Sequence, residues 1–131
     1  MHIDELQRLL DTSPVHRGLG LKVRLAGDGV VLDATPGPSH SVDGGDFVHG
    51  GVIATILDTG ATFALIDATG TDWSTVDLRI DYLRPAPVAS LHVTARPAQV
   101  GRRFGRASAE LTEPGSGRLL ASAVGTFVRS A

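Results

Sequence analysis

The chain has 131 residues, 42% of them hydrophobic, with 12 Lys and Arg against 14 Asp and Glu. That length suits one domain with a core of its own, and a net charge of −2 gives no general pull on nucleic acid or an anionic membrane. The absence of cysteine excludes a disulfide framework, a thiolate zinc site and a cysteine nucleophile.

Residues 1–12 predict a short amphipathic helix, with Ile3, Leu6, Leu9 and Leu10 on one side and Ser13-Pro14 as its stop. This start has neither the basic opening nor the apolar core of a signal peptide, so a cytoplasmic location is expected. From Leu19 to Ala26, Leu19, Leu21, Val23 and Leu25 alternate with Gly20, Lys22 and Arg24, a half-buried strand. Asp28-Gly29 signals a hairpin turn, and Val30 to Thr35 is the return strand. Pro36 to Asp46, rich in Gly, Ser and Pro, reads as a long loop that delivers the chain into the next element.

That next element runs from His49 to Leu65, H-G-G-V-I-A-T-I-L-D-T-G-A-T-F-A-L. Its apolar residues fit a helical period and cover nearly the whole circumference, so the helix should be wrapped by other structure. Gly60 and the alanines keep it thin, at some cost in helix propensity. Because Asp58 and glycines interrupt the apolar runs, they are expected to fall short of a membrane span. Beyond the helix, Asp67 to Asp72 reads as a turn region. Trp73–Leu83 is a strand whose Val76, Leu78, Ile80 and Tyr82 share a face. Ser90–Val100 is a second strand with Pro97 marking a bulge, Phe104–Thr112 a third and Leu119–Val128 a fourth. Helix, two strands, loop, buried helix and four strands predict one α+β domain over residues 1–131, its antiparallel sheet curled around one long helix.

Asp58 is the anomaly of that helix. Its neighbours three and four residues away, Ala54, Thr55, Ala61 and Thr62, offer no countercharge. An unpaired carboxylate in a dry interior is costly or has its pKa raised. Two explanations stand: a solvated stripe or a distant arginine, or a use in chemistry. The preceding His49-Gly50-Gly51 favours use. A helix N-terminus presents free N–H groups and positive partial charge, glycine lets a ligand approach the backbone, and a carbonyl oxygen that becomes negative would be stabilised there. Asp58 would then serve as nucleophile or base.

The element order, with F-V-H-G-G-V-I-A-T-I-L-D-T-G, T-V-D-L-R-I-D-Y-L-R-P-A, V-G-R-R and the closing A-S-A-V-G-T-F, resembles the hotdog fold. It most resembles the PaaI-like (phenylacetic acid degradation) thioesterases of the 4-hydroxybenzoyl-CoA thioesterase superfamily. The resemblance covers the chain from near Val42 to the end. It implies hydrolysis of an acyl-CoA thioester, with the Gly50 N–H polarising the carbonyl and Asp58 attacking it or activating water. It further implies that Thr75 helps to place that water, and that a homodimer or homotetramer builds each site across a dimer interface. One position departs: where relatives carry an Asn six residues before the histidine, this chain has Asp43, an acceptor when ionised.

Other polar residues carry weaker signals. Arg102 and Arg103, in the turn that matches the family's Gly-Arg step, are expected to meet the phosphates of CoA. His40 and His49 with Asp43 or Asp46 lack a third convergent ligand, so no metal is expected, and no cofactor beyond the CoA of the substrate. His2, His16 and His92 are expected on solvated surfaces, and Phe63, Trp73, Phe104 and Phe127 in the core or an interface. Two other activities stay open: a module that binds acyl-CoA without cleaving it, and an acyl-thioester dehydratase or hydratase, which needs a His paired with an acid in a different arrangement.

Overall fold

The computed structural model describes residues 1–130. Three α-helices, α1 (Ile3–Asp11), α2 (Pro14–Gly18) and α3 (Gly50–Thr69), accompany six strands, β1 (Lys22–Ala26), β2 (Gly29–Ala34), β3 (Trp73–Tyr82), β4 (Leu91–Val100), β5 (Phe104–Thr112) and β6 (Leu119–Arg129). The strands form one sheet in the order β1-β2-β4-β5-β6-β3, antiparallel at every pairing. The sheet curls around α3, which touches β2, β3, β4, β5 and β6.

Small residues on the inner face of the sheet make room for the helix. Gly105, Ala107 and Ala109 of β5 and Ala121, Ala123 and Gly125 of β6 are buried there. Ile56, Leu57, Phe63, Leu65 and Ile66 of α3 supply the bulk of the core. At the closest approach a Cβ on Gly60 would stand 2.6 Å from Val93 Cγ1, which is why a glycine sits mid-helix despite its propensity cost. The threonines of α3 are tolerated because Thr55, Thr59, Thr62 and Thr69 each donate a hydroxyl to the carbonyl four residues back, at 2.7–3.0 Å.

Several boundaries differ from those expected. Pro14 does more than stop α1: it occupies the first turn of α2, where proline's missing N–H costs nothing. Leu19 and Leu21 bond back to Val15 and His16 of α2, so β1 starts only at Lys22. The helix from His49 continues to Thr69, past the turn expected from Asp67, and ends where Gly70 adopts φ 70°. At 20 residues with a mean hydropathy of 1.4, α3 has the length and apolarity of a membrane span, contrary to expectation. Its apolar surface meets the sheet, and 56% of its most apolar window is buried inside the protein. Phe63, Trp73 and Phe127 are in the core, but Phe104 is half exposed beneath the Arg103 guanidinium.

The sheet's two edges are finished differently. On the β1 side, Gln7 of α1 donates to the Leu21 carbonyl and accepts from the Val23 N–H, occupying the open edge with a side chain. On the other side, β3 presents ten residues and, among the described residues, has a neighbour only in β6. A bulge at Val76 shifts the register, and Asp77 Oδ1 accepts the Thr126 N–H there at 3.2 Å. Of the residues expected to share a face, Leu78 and Ile80 pack on the core, while Val76 and Tyr82 are each more than half exposed.

Candidate active site

His49 caps α3 with its own side chain: Nδ1 accepts the Gly51 N–H at 2.9 Å, which places the proton of the neutral ring on Nε2. The His49 carbonyl accepts from Val52 and Ile53 at 2.9 and 3.1 Å. Three of the first four N–H groups of the helix are thereby satisfied. Among the described residues the remaining one, that of Gly50, has no partner. Tyr82, at the far end of β3, fixes the same turn by donating its hydroxyl to the Gly50 carbonyl at 2.8 Å. An apolar groove of about 430 Å³ opens beside Gly50, with Val42, Phe47, Ile53, Tyr82 and Pro85 on its walls.

Asp58 lies two turns further along α3, half-buried rather than in a dry interior. It has the partner its own helix could not provide: Thr75 of β3 donates its hydroxyl to Asp58 Oδ1 at 2.6 Å. Thr62 has spent its hydroxyl on the Asp58 carbonyl and Thr55 on that of Gly51. Asp58 Oδ2 therefore remains open to a proton or a carbonyl carbon. Asp43 is exposed in the Val42–Phe47 turn at φ 52°, a left-handed conformation in which Asn and Asp are the best tolerated side chains after glycine. It makes no hydrogen bond among the described residues.

Arg102 and Arg103 are exposed in the turn between β4 and β5. Arg129, which follows them across the sheet, lies over the Trp73 ring and donates to the Gly101 carbonyl, so this turn belongs to the Trp73 end of β3, opposite Gly50. Neither arginine meets the Gly50 groove of its own chain.

Two of the histidines expected in solvent are elsewhere. His16 of α2 is half-buried against α3, with Nε2 3.4 Å from Thr59 Oγ1 and its ring edge-on to Phe63. Burial lowers its pKa from 6.5, against smaller opposing contributions from the Leu10 backbone and the Asp58 charge. His92 is paired with Asp33 on the outer face of the sheet, where Arg24 also holds Asp33 at 2.8 Å. The Arg24 guanidinium is the main reason that the Asp33 pKa is lowered. His2 is exposed and caps α1.

The thioesterase superfamily model matches residues 45–119, more than half of the chain. The chain belongs to that superfamily. It is 34% identical to mouse acyl-coenzyme A thioesterase 13 over 76 residues, which are 56% of this chain and 54% of that protein. The chain thus matches about half the length of that relative. Zebrafish thioesterase superfamily member 2 superposes with a TM-score of 0.87 at 26% identity, over 99% of both chains. A phenylacetic acid degradation-related protein of Ralstonia eutropha gives 0.79 at 28%, over 94% of this chain and 98% of its own. The fold is the hotdog, and the PaaI-like resemblance stands.

Tyr82 is a site-facing residue that sequence reasoning missed, and His16 a histidine it left in solvent. The one signal for Tyr82 was that the chain's single tyrosine ends a predicted strand. For His16 there was none, because α2 is too short for its periodicity to show which way it faces.

Proposed function

We infer that the protein is an acyl-CoA thioesterase that works as a homodimer, each site using Gly50 of one chain and Asp58 of the other. The observation that carries this reading is a pair of half-sites that cannot serve one substrate within a chain. Gly50 offers the one unpartnered N–H of its helix turn, and Asp58 a carboxylate steadied by Thr75. Eight residues of helix separate them, about 12 Å of rise. A carbonyl needs donor and attacking atom both about 3 Å from its own atoms, so the two groups must come from different chains.

The open edge of β3 supports this pairing. A two-fold axis through the middle of that strand, joining it to its copy, sets Trp73 of one chain beside Tyr82 of the other. That carries the Asp58–Thr75 pair to the Gly50 groove of the partner. It also moves the Arg102–Arg103 turn to the substrate's end of the partner, where those residues can reach its phosphates.

In this site the thioester oxygen accepts the Gly50 N–H. Asp58 Oδ2 takes a proton from water as the water oxygen attacks the carbonyl carbon, while Thr75 holds Oδ1. The tetrahedral oxyanion stays on the Gly50 N–H. The C–S bond then breaks, the thiolate takes the proton, and free acid and CoA leave. If Asp58 instead attacks the carbon itself, an anhydride forms and water opens it. Single turnover in ¹⁸O-water that labels Asp58 and leaves the product unlabelled shows the anhydride route, because water activated by a base always labels the product. Thiol release from a panel of aryl, short-chain and long-chain acyl-CoA tests the activity. A protein that binds these thioesters and releases no thiol would be a binding module instead.

A further inference from the structure

We propose that Arg84 and Arg118 form the phosphate-binding end of a groove that holds the phosphopantetheine arm of the thioester's carrier, an inference that rests on the thioesterase reading above. The apolar groove at Gly50 does not stop at Pro85. It adjoins a second groove of about 320 Å³ through Phe47, Arg84 and Pro85, and there its lining changes to Arg84, Glu113, Arg118 and Leu120. One path therefore leads from the unpartnered Gly50 N–H to two guanidinium groups.

Both arginines are exposed, and among the described residues neither is in an ion pair. Arg84 is steadied by one hydrogen bond, from Nη1 to the Leu119 carbonyl at 3.2 Å, which leaves the rest of its planar donor fork unspent. Among the described residues the Arg118 side chain makes no hydrogen bond, while its backbone N–H is held by Ser116 Oγ. Glu113 is the one acid on this path, and its carboxylate already accepts the Ser116 hydroxyl at 2.9 Å. Paired guanidiniums at the solvent end of an open groove match a phosphate or diphosphate, which Arg can hold with two parallel N–H bonds. The apolar stretch between Val42 and Tyr82 suits the methylene and methyl groups of pantetheine. An acyl group would sit on the other side of the carbonyl.

The test is equilibrium binding of free CoA and of pantetheine, which lacks the nucleotide phosphates, to the wild-type protein and to Arg84→Ala/Arg118→Ala. The wild type should bind CoA more tightly than pantetheine. The double variant should lose on the order of 10–100-fold in CoA affinity, collapsing that preference. Arg118→Ala alone breaks no hydrogen bond within the protein and should give part of the loss, so the result does not hang on how the chain tolerates Arg84→Ala. A wild-type protein without the preference, or a double variant that keeps it, would overturn the proposal. It would also be overturned if the substitutions weakened adipoyl-CoA but not hexanoyl-CoA, since the groove would then hold an acyl chain with an acid at its tip. Arginine-dependent CoA binding without thiol release from any thioester would instead sink the enzymatic reading and leave this site standing.

Discussion

The two edges of the sheet show two ways of treating the same exposed backbone. The β1 edge is five residues long, and Gln7 satisfies an outward N–H and an outward carbonyl there. The β3 edge is twice that length and has no such cover. Beside it stand Tyr82 and Thr75, the two strand residues whose hydroxyls reach the polar groups of α3. An uncovered edge is a liability unless something pairs with it. Damage on the β1 side should therefore be read in stability, and damage on the β3 side in assembly and rate.

The largest expected effects are on the β3 side. Asp58→Asn should cut kcat by about 10² or more, because in the proposed mechanism Asp58 is the base or nucleophile. The opposite half-site can be broken through the backbone, with Gly50→Pro. Position 50 is the first of the helix, where proline is favoured, and His49 at φ −60° and ψ 137° already has the extended conformation required before proline. The only group lost is the unpartnered N–H, and the rate should fall by about 10²–10³ with the helix intact. Mixing the two variants sharpens the comparison. If each site spans two chains, random exchange makes half the dimers mixed, each with one intact site, and about a quarter of the wild-type rate returns. Recovery of no activity from refolded mixtures, with mixed dimers shown by mass spectrometry, would place both groups in one chain.

Next in size is Asp43, on the turn whose Val42 and Phe47 line the Gly50 groove. A carboxylate offers no N–H donor there, where the resemblance implies an amide. Asp43→Asn should raise kcat several-fold, up to about tenfold. The left-handed φ of 52° suits Asn at least as well as Asp, so folding should not change. Asp43→Ala should leave the rate within about twofold. Loss of activity in a folded Asp43→Ala variant would make Asp43 a catalytic acid.

The same contrast explains what could be read from the chain alone. The His49 turn was legible because its chemistry is local: a cap, two glycines and four helix N–H groups lie within five residues. The wrapped helix was legible from its apolar circumference, and most strands from their alternation. Asp58 was legible only as a puzzle. Its partner Thr75 is 17 residues away and is brought to it by the helix-to-strand return, so the resemblance named that threonine and the local spacing could not. Val76 was misplaced for a related reason. Alternation assigns a strand's faces but does not show that a strand is an edge, and the bulge at Val76 breaks the count.

On the covered side, effects should be smaller and should leave assembly alone. Gln7→Ala frees the Val23 N–H and the Leu21 carbonyl and should cost about 1 kcal/mol of stability. Light scattering should show the same oligomer, and the thioesterase rate should hold. A change of oligomeric state would mean that β1, not β3, is the assembling edge.

The smallest expected effect is a pH dependence at His16, on the same covered side. Burial against Thr59 and Phe63 lowers its pKa in the folded chain from the ordinary 6.5. Over the interval between the two values the unfolded chain holds a proton that the folded chain does not, so stability rises with pH there. The contribution is complete above about 6.5 and is lost as pH falls through the lower folded value. Thermal unfolding should show Tm falling as pH drops below about 6.5, and His16→Leu, which cannot take the proton, should flatten part of that slope. Other titrating groups act equally on both proteins and cancel in the difference. A Tm difference between the two that does not vary with pH would show that His16 is as solvated as the sequence first suggested, and that α2 does not shield it.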